Sequence, residues 1–310
     1  MALDLTWLRT WVEVVDAGGF ARAAELVHLS QPRVSAHISN LEKELGCSLI
    51  ERRVRPLTLT EEGRALLPRA RAVLAAADEL TSGVLAERGI ISGTVKVASF
   101  VSASSEFLPA VVSQLEREYP QIDLSILDGD GGTIEAALAE RRVAVALRPL
   151  RPEPRDRAFT VRPLWREPFV VVLPLGHPLL LDDIVDPRQL TGERVITIGN
   201  PLSEEVLGSE AESAFSSFYR QLPGGSVSHQ PSTLGAMVRA GHGIGVMNYL
   251  GFTMIRQDGL AFRELGIDHY RDVGVWWHSE RPLNAAARTF ITTVIAAPRP
   301  EGTWEIPSPR

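Results

Sequence analysis

The chain has 310 residues (33.9 kDa), 45% apolar and 23% charged, which is enough for about two domains with sizeable cores and too apolar for a disordered regulator. No charge-free apolar run reaches the roughly 18 residues of a membrane span, and Asp4, Arg9, Glu13 and Asp16 interrupt the start where an export signal needs an apolar core; the expectation is a cytoplasmic protein with no membrane partner. The formal charge of −6 divides into 11 Lys+Arg against 12 Asp+Glu in residues 1–90 and 21 against 26 beyond, so neither part is basic, and the single cysteine, Cys47, excludes intrachain disulfides and a thiolate zinc site. Any DNA contact must come from locally clustered arginines such as Arg52, Arg53 and Arg55.

Three short helical patterns open the chain. Leu8, Trp11, Val12 and Val15 form one apolar face behind an Asp4 cap, ending at Gly18-Gly19. Phe20, Ala23, Ala24 and Val27 repeat that spacing up to His28-Leu29. The third pattern starts at the N-cap residue Ser30, tolerates Pro32 in its first turn, buries Val34, Ile38, Leu41 and Leu45, and stops at Gly46, placed for a left-handed C-terminal residue. The second and third, joined by a short turn and packed through small Ala23 and Ala24, read as a helix-turn-helix. Off the apolar stripe of the third lie Gln31, Arg33, Ser35, His37 and Asn40, whose polar groups suit base edges in a major groove. Leu49-Ile50 and Leu57-Thr58-Leu59 look like two short strands flanking Arg52, Arg53, Val54, Arg55 and Pro56, a wing whose tip arginines reach phosphates or the minor groove. Trp11, Phe20, Val34 and Leu41 read as core. His28 and His37 sit on two helices without metal-ligand spacing and read as solvated helix-end residues. Glu42 and Glu44 read as a solvated face, with Glu42 able to link helices.

From Phe20 to Gly63, the marks Ala23-Ala24, Leu29-Ser30-Gln31-Pro32, Ser35, Leu41-Glu42, Leu45-Gly46, Arg52, Leu59-Thr60 and Gly63 resemble the winged helix-turn-helix of LysR-type transcriptional regulators. The resemblance implies a double-stranded DNA operator contacted by Gln31, Pro32, Arg33, Ser35, His37, Arg52, Arg53, Arg55 and Pro56, with RNA polymerase as a further partner. Two positions depart from the family pattern: Gly19 stands where Ser is usual, and Ala36 where an arginine that reaches DNA is frequent.

A long helix follows, capped by Thr60 with Glu61 and Glu62 in its first turn. Leu66, Ala70, Val73, Ala77, Leu80 and Val84 step alternately by four and three, a heptad seam that needs a partner, although Pro68 disfavours the helix locally. Packing on the chain's own wing domain is one reading; small Ala70 and Ala77 favour a second copy, and the resemblance implies a homodimer or homotetramer. Leu66, Val73, Ala77, Leu80 and Val84 are the candidate dimerisation residues.

Past a glycine-bounded hinge the pattern alternates: strand Val95–Phe100, helix Phe107–Glu118, strand Ile122–Leu127, helix Ile134–Arg141, strand Val143–Leu147. Strands at Val161–Leu164, Phe169–Leu173, Val195–Ile198 and Gly243–Met247 follow, with helices Ser203–Arg220 and Thr233–Ala240 between them; strand Val273–Trp277 and helix Asn284–Ile295 return to the first lobe. Tyr119-Pro120, Phe169-Val170-Val171-Val172, His177-Pro178 and Ala240 to Gly245 resemble the family's effector domain, itself similar to periplasmic solute-binding proteins. Ala144 stands where that pattern often has aspartate, and Asn248-Tyr249 where it has proline.

The expected fold class is therefore α/β: a winged helix-turn-helix (1–59), a linker helix (60–88), a hinge (89–92), a two-lobed effector domain (93–297) and a frayed tail (298–310). Ligands of such sheets bind at the carboxyl ends of strands. That rule marks Ser99, Phe100, Val101, Ser102, Thr133, Ile198, Asn200 and Gly245 as a candidate site for a small-molecule effector of unknown identity, an anion held by neutral donors without an arginine; no other cofactor is expected. No G-x-S-x-G, P-loop, H-E-x-x-H or dinucleotide motif favours an enzyme. An effector-independent repressor and a solute-binding module are the alternatives.

Overall fold

The computed structural model describes residues 3–51, 56–154, 158–199, 226–228 and 230–307. Helix α1 (Leu5–Asp16) begins at Asp4, whose carboxylate accepts the Thr6 N–H at 2.6 Å. It buries Leu8, Trp11, Val12 and Val14 fully, with Val15 half-buried at the margin. Helix α2 (Phe20–Leu26) presents buried Ala23 and Ala24 to α3 (Gln31–Leu45), which contributes Val34, Ile38 and Leu41 and ends at Gly46 with φ +71°. Pro32 lies in the first turn of α3.

The expected strands of the wing reduce to one antiparallel bridge, Ile50 to Leu59, with the Glu51 N–H donating to the Thr58 carbonyl at 2.8 Å. Arg52 to Arg55 lie outside the described residues. The wing base is held to α4 (Glu61–Glu87) by Thr60, whose hydroxyl donates to the Ser48 carbonyl (2.7 Å) and accepts the Gly63 N–H (2.9 Å). A Cβ on Gly63 would come within 2.2 Å of the Leu49 carbonyl oxygen, so only glycine fits where helix and wing meet.

The heptad seam divides. Ala70 is buried in the wing domain's own core and Leu66 packs against it, joined by Leu74, which the seam did not include. Val73, Leu80 and Val84 are 42%, 74% and 48% exposed, so the apolar stripe left uncovered starts at Val73.

Strands β1 (Ser92–Ser99), β2 (Gln121–Asp128) and β3 (Val145–Pro149) pair in parallel with β1 in the centre, and β10 (Tyr270–His278) runs antiparallel beside β3. Helices α5 (Val101–Glu106), α6 (Leu108–Glu118), α7 (Gly131–Ala139) and α10 (Ala285–Ala296) complete this first lobe around a core containing Val95, Val97, Leu108, Ile134, Leu147, Trp165 and Phe290. The two strands expected at 161–164 and 169–173 are one, β4 (Phe159–Pro174). Pro168 sits where β4 changes partners, from β10 at Tyr270 to β8 (Ile244–Asn248) and β9 (Leu260–Leu265), so no ladder bond is lost there.

Beyond that point β4 belongs to the second lobe, where β8 pairs in parallel with β6 (Val195–Ile198) and β6 with β7 (Ser226–Ser228). Short β5 (Ile184–Val185) edges β9, and α8 (Pro231–Arg239) and α9 (Tyr249–Thr253) cover the sheet. The helix expected at 203–220 lies outside the described residues. The chain thus crosses between lobes along β4 and returns between β9 and β10. The tail expected to fray is packed instead: Trp304 bridges Arg166 through backbone bonds of 2.7 and 3.0 Å and sits edge-on to Tyr270.

Candidate nucleic-acid interface and interlobe site

The outer face of α3 is set by what its inner face buries. With Val34, Ile38 and Leu41 in the core, Gln31, Pro32, Arg33, Ser35, Ala36 and Asn40 are exposed in a row on the other side. His37 is placed differently from the expectation of a solvated residue. It is half-buried, with Nδ1 2.9 Å from the Thr10 hydroxyl, and that hydroxyl already donates to the Thr6 carbonyl at 2.8 Å. A hydroxyl has one proton, so His37 Nδ1–H is the donor and Nε2 is the acceptor of the neutral ring. His37 therefore locks α3 onto α1, and the Asp4 carboxyl is held below the usual carboxylate range chiefly by the Thr6 N–H bond, with His37 a smaller cause.

Glu42 is not part of a solvated face: its carboxylate accepts the Leu49 and Ile50 N–H groups at 2.8 and 3.4 Å and ties α3 to the wing. Pro56 is exposed at the wing's return. Gly19 starts α2 without a side-chain cap. Ser30 also makes no side-chain cap bond, although its backbone has the extended N-cap conformation.

In the first lobe, Ser99 ends β1 fully buried, and its carbonyl accepts the Gly129 N–H at 3.0 Å, which brings the start of α7 beside it. Phe100 is buried, Val101 half-buried and Ser102 buried in α5. The expected absence of an arginine fails here. Arg271 of β10 places Nη2 3.1 Å from the Ser102 hydroxyl, with its guanidinium 4.4 Å over the Phe100 ring. It pairs at 2.8 Å with Glu167 of β4, a fully buried carboxylate whose other oxygen accepts the Leu250 N–H of α9 at 2.9 Å. Elements of both lobes meet at this ion pair, which joins the crossing strand β4 to its neighbour β10. The adjacent charges Arg271 and Asp272 before the run Val273–Trp277 are too weak a signal for Arg271 to be found in the sequence.

Other expected site residues are dispersed. Thr133 is exposed, and its N–H is taken by Asp130, which is the true cap of α7 (2.7 Å). Gly245 is a packing position: a Cβ there would lie 2.3 Å from Leu234 Cδ2 of α8. Ile198 is half-buried at the end of β6, and Asn200 lies outside the described residues. A cavity of about 500 Å³ lies elsewhere, between Pro163 to Trp165, the end of α10 and the tail from Ala297 to Thr303. Among the described residues no His, Cys, Asp and Glu group is placed to hold a metal, and no helix is long and apolar enough to cross a membrane.

Two family models match the chain: the bacterial regulatory helix-turn-helix protein of the lysR family over residues 5–64, and the LysR substrate binding domain over residues 88–299. The chain belongs to the LysR family. It is a DNA-binding transcriptional regulator with an effector-binding domain, in a family of regulators rather than enzymes. The transcriptional activator protein LysR of Escherichia coli K12 is 28% identical over 93% of this chain and 91% of its own length. A full-length OxyR point variant from Pseudomonas aeruginosa shares the LysR-family fold at 22% identity, with a TM-score of 0.73 over 99% of this chain and all of that one. Full-length CbnR complexed with its target DNA aligns with a TM-score of 0.65 at 19% identity, over 95% of this chain and 99% of that one.

Proposed function

We propose that this LysR-family regulator reads its operator with the outer face of α3, Gln31, Arg33, Ser35 and Asn40 toward base edges, while Arg52, Arg53, Arg55 and Pro56 of the wing approach the DNA backbone or minor groove. His37 serves this face by fixing α3 on α1. The observation that carries the reading is the exposed polar row opposite a fully buried stripe on one helix. Ala36 removes a long cation from the row, so base contacts concentrate on its first turn. The division into wing domain, linker, hinge and two lobes follows 1–59, 60–88, 89–92 and 93–297.

The stripe of exposed Val73, Leu80 and Val84 with half-buried Ala77 pairs with the same stripe of a second copy, giving a homodimer, or a homotetramer of such dimers, on a partly palindromic site in the cytoplasm, with RNA polymerase as the downstream partner. Leu80→Glu should convert the oligomer to monomer in sedimentation velocity at micromolar concentration; an unchanged sedimentation coefficient contradicts the assignment.

A small, anionic metabolite binds between the lobes, near Ser99 to Ser102 and Arg271, and acts through its different affinity for two arrangements of the lobes. A second reading has its own support: the Arg271 guanidinium already holds the Glu167 carboxylate, which favours an effector-independent repressor. Isothermal titration of the full-length protein with carboxylate and phosphate metabolites separates the two. Saturable heat lost in Ser102→Ala supports the effector site, whereas no binding across the panel favours the second reading.

A further inference from the structure

Arg71 is buried in α4, and its guanidinium joins three parts of the chain. Nη1 donates to the Glu140 carbonyl at 2.7 Å, Nη2 is ion-paired with Asp16 at the end of α1, and Nε is buried without an acceptor. Glu140 is the C-cap of α7, where carbonyls lack helical partners and the helix dipole is negative, so the cation is held by charge as well as by the bond. Arg281 grips the same helix end through the Leu138 and Ala139 carbonyls at 2.7 and 3.0 Å. The C-terminus of α7 is thereby fastened to the first lobe and to the linker helix alike.

The other end of α7 begins at the interlobe edge, where Asp130 caps it and Gly129 bonds to Ser99. On the DNA side, Asp16 belongs to the helix that locks α3 through Thr10 and His37. Helices α1 and α4 run antiparallel, and their second ion pair, Arg9 with Asp78 at 2.7 Å, is half-exposed on both sides and screened by water. The buried pair is the one that fixes their relative placement.

We infer that Arg71 is a positioning residue that transmits the placement of α7 in the first lobe to α1, and through α1 to the recognition helix. A displaced α7 cannot keep both partners of Arg71. The guanidinium is buried and planar, and its two terminal nitrogens are committed to the Glu140 carbonyl and to Asp16, so a shift of one acceptor is carried through the rigid fork to the other. The inference rests on the interlobe reading only for the direction in which a signal travels. The coupling itself is measurable without ligand or DNA.

Hydrogen exchange of the full-length protein reads both ends. The amides of Ala17, Gly18 and Gly19 bond to Glu13, Val15 and Val14, and those of Glu140, Arg141 and Arg142 bond to Ala136, Leu138 and Ala137. Asp16→Asn removes a charge on α1 and alters nothing in the first lobe, yet exchange at Glu140 to Arg142 should accelerate about threefold or more. Arg71→Met should accelerate both ends about tenfold, with the β4 and β8 amides of the second lobe unchanged as the control for global stability. If Arg71→Met does not fold, Asp16→Asn decides alone. Wild-type exchange at Glu140 to Arg142 in Asp16→Asn overturns the coupling, and so does equal acceleration at the β4 and β8 amides, which would make Arg71 a stabilising residue and nothing more.

Discussion

In the DNA-binding region, Asp4, Glu42 and Thr60 each accept a backbone N–H only two, seven and three residues away in the chain. In the two-lobed region, Arg271 and Glu167 are 104 residues apart, and Arg166 and Asp272, paired at 2.6 and 2.8 Å across the two crossing strands, are 106 apart. Short-range contacts finish helices and the wing base, and they leave the polar face of α3 uncommitted. Long-range ion pairs instead fix how distant strands sit against each other, which is what a domain built from two lobes has to specify. The same chemistry therefore serves local geometry at the caps and wing base and global arrangement in the two-lobed region, and the pairs Arg71–Asp16 and Arg9–Asp78, 55 and 69 residues apart, extend the second use to the junction of α1 with α4.

Removing one partner of the long-range kind should have the largest effect. Arg271→Met leaves Glu167 buried without its cation and should cost about 3–5 kcal/mol in denaturant unfolding, with much of the loss recovered when Glu167 is also made apolar. A loss below about 1 kcal/mol would mean that water reaches the pair and the contrast between regions is overstated. Gly63→Ala tests the short-range side: the 2.2 Å approach to the Leu49 carbonyl should displace the wing from α4 and cost about 1–3 kcal/mol, while exchange rates in the second lobe stay at wild-type values.

The smallest effect concerns Asp4. Its pKa is lowered in the folded chain by the Thr6 N–H and His37, so its contribution is complete above the ordinary carboxylate pKa and is lost as pH falls through the lowered value. Asp4→Ala should lower the stability of the full-length protein slightly at neutral pH, where the contribution is complete, and should remove the acid-side dependence, so that the two proteins converge as pH falls. A wild-type pH profile in Asp4→Ala would contradict the capping role.

The same division explains what could be read from the residues alone. The caps at Asp4, Thr60 and Gly46 and the stripe of α3 were legible because partners lie within a turn or two of each other. Gly63 was recognisable as a family mark, and the structure supplies its reason in the Leu49 carbonyl. Arg271 beside Ser102, Arg71 between Asp16 and Glu140, and Trp304 on Arg166 were not legible, because nothing local distinguishes a buried arginine or a docked tail from a solvated one. That Asp130 rather than Thr133 caps α7 was not legible for a related reason: both are acceptable caps, and only the backbone decides which one closes the turn. At Gly245, the lack of a side chain serves the packing of α8, a reason that spacing in the sequence does not reveal.

The most direct test of the DNA-reading face uses the full-length protein with duplexes selected from random sequence. Fluorescence anisotropy at several salt concentrations should show Gln31→Ala losing about 1–3 kcal/mol on the selected site, with non-specific affinity and salt slope at wild-type values. Unchanged affinity for the selected site in Gln31→Ala, together with an unchanged selected sequence, would contradict the assignment of the α3 face to base reading.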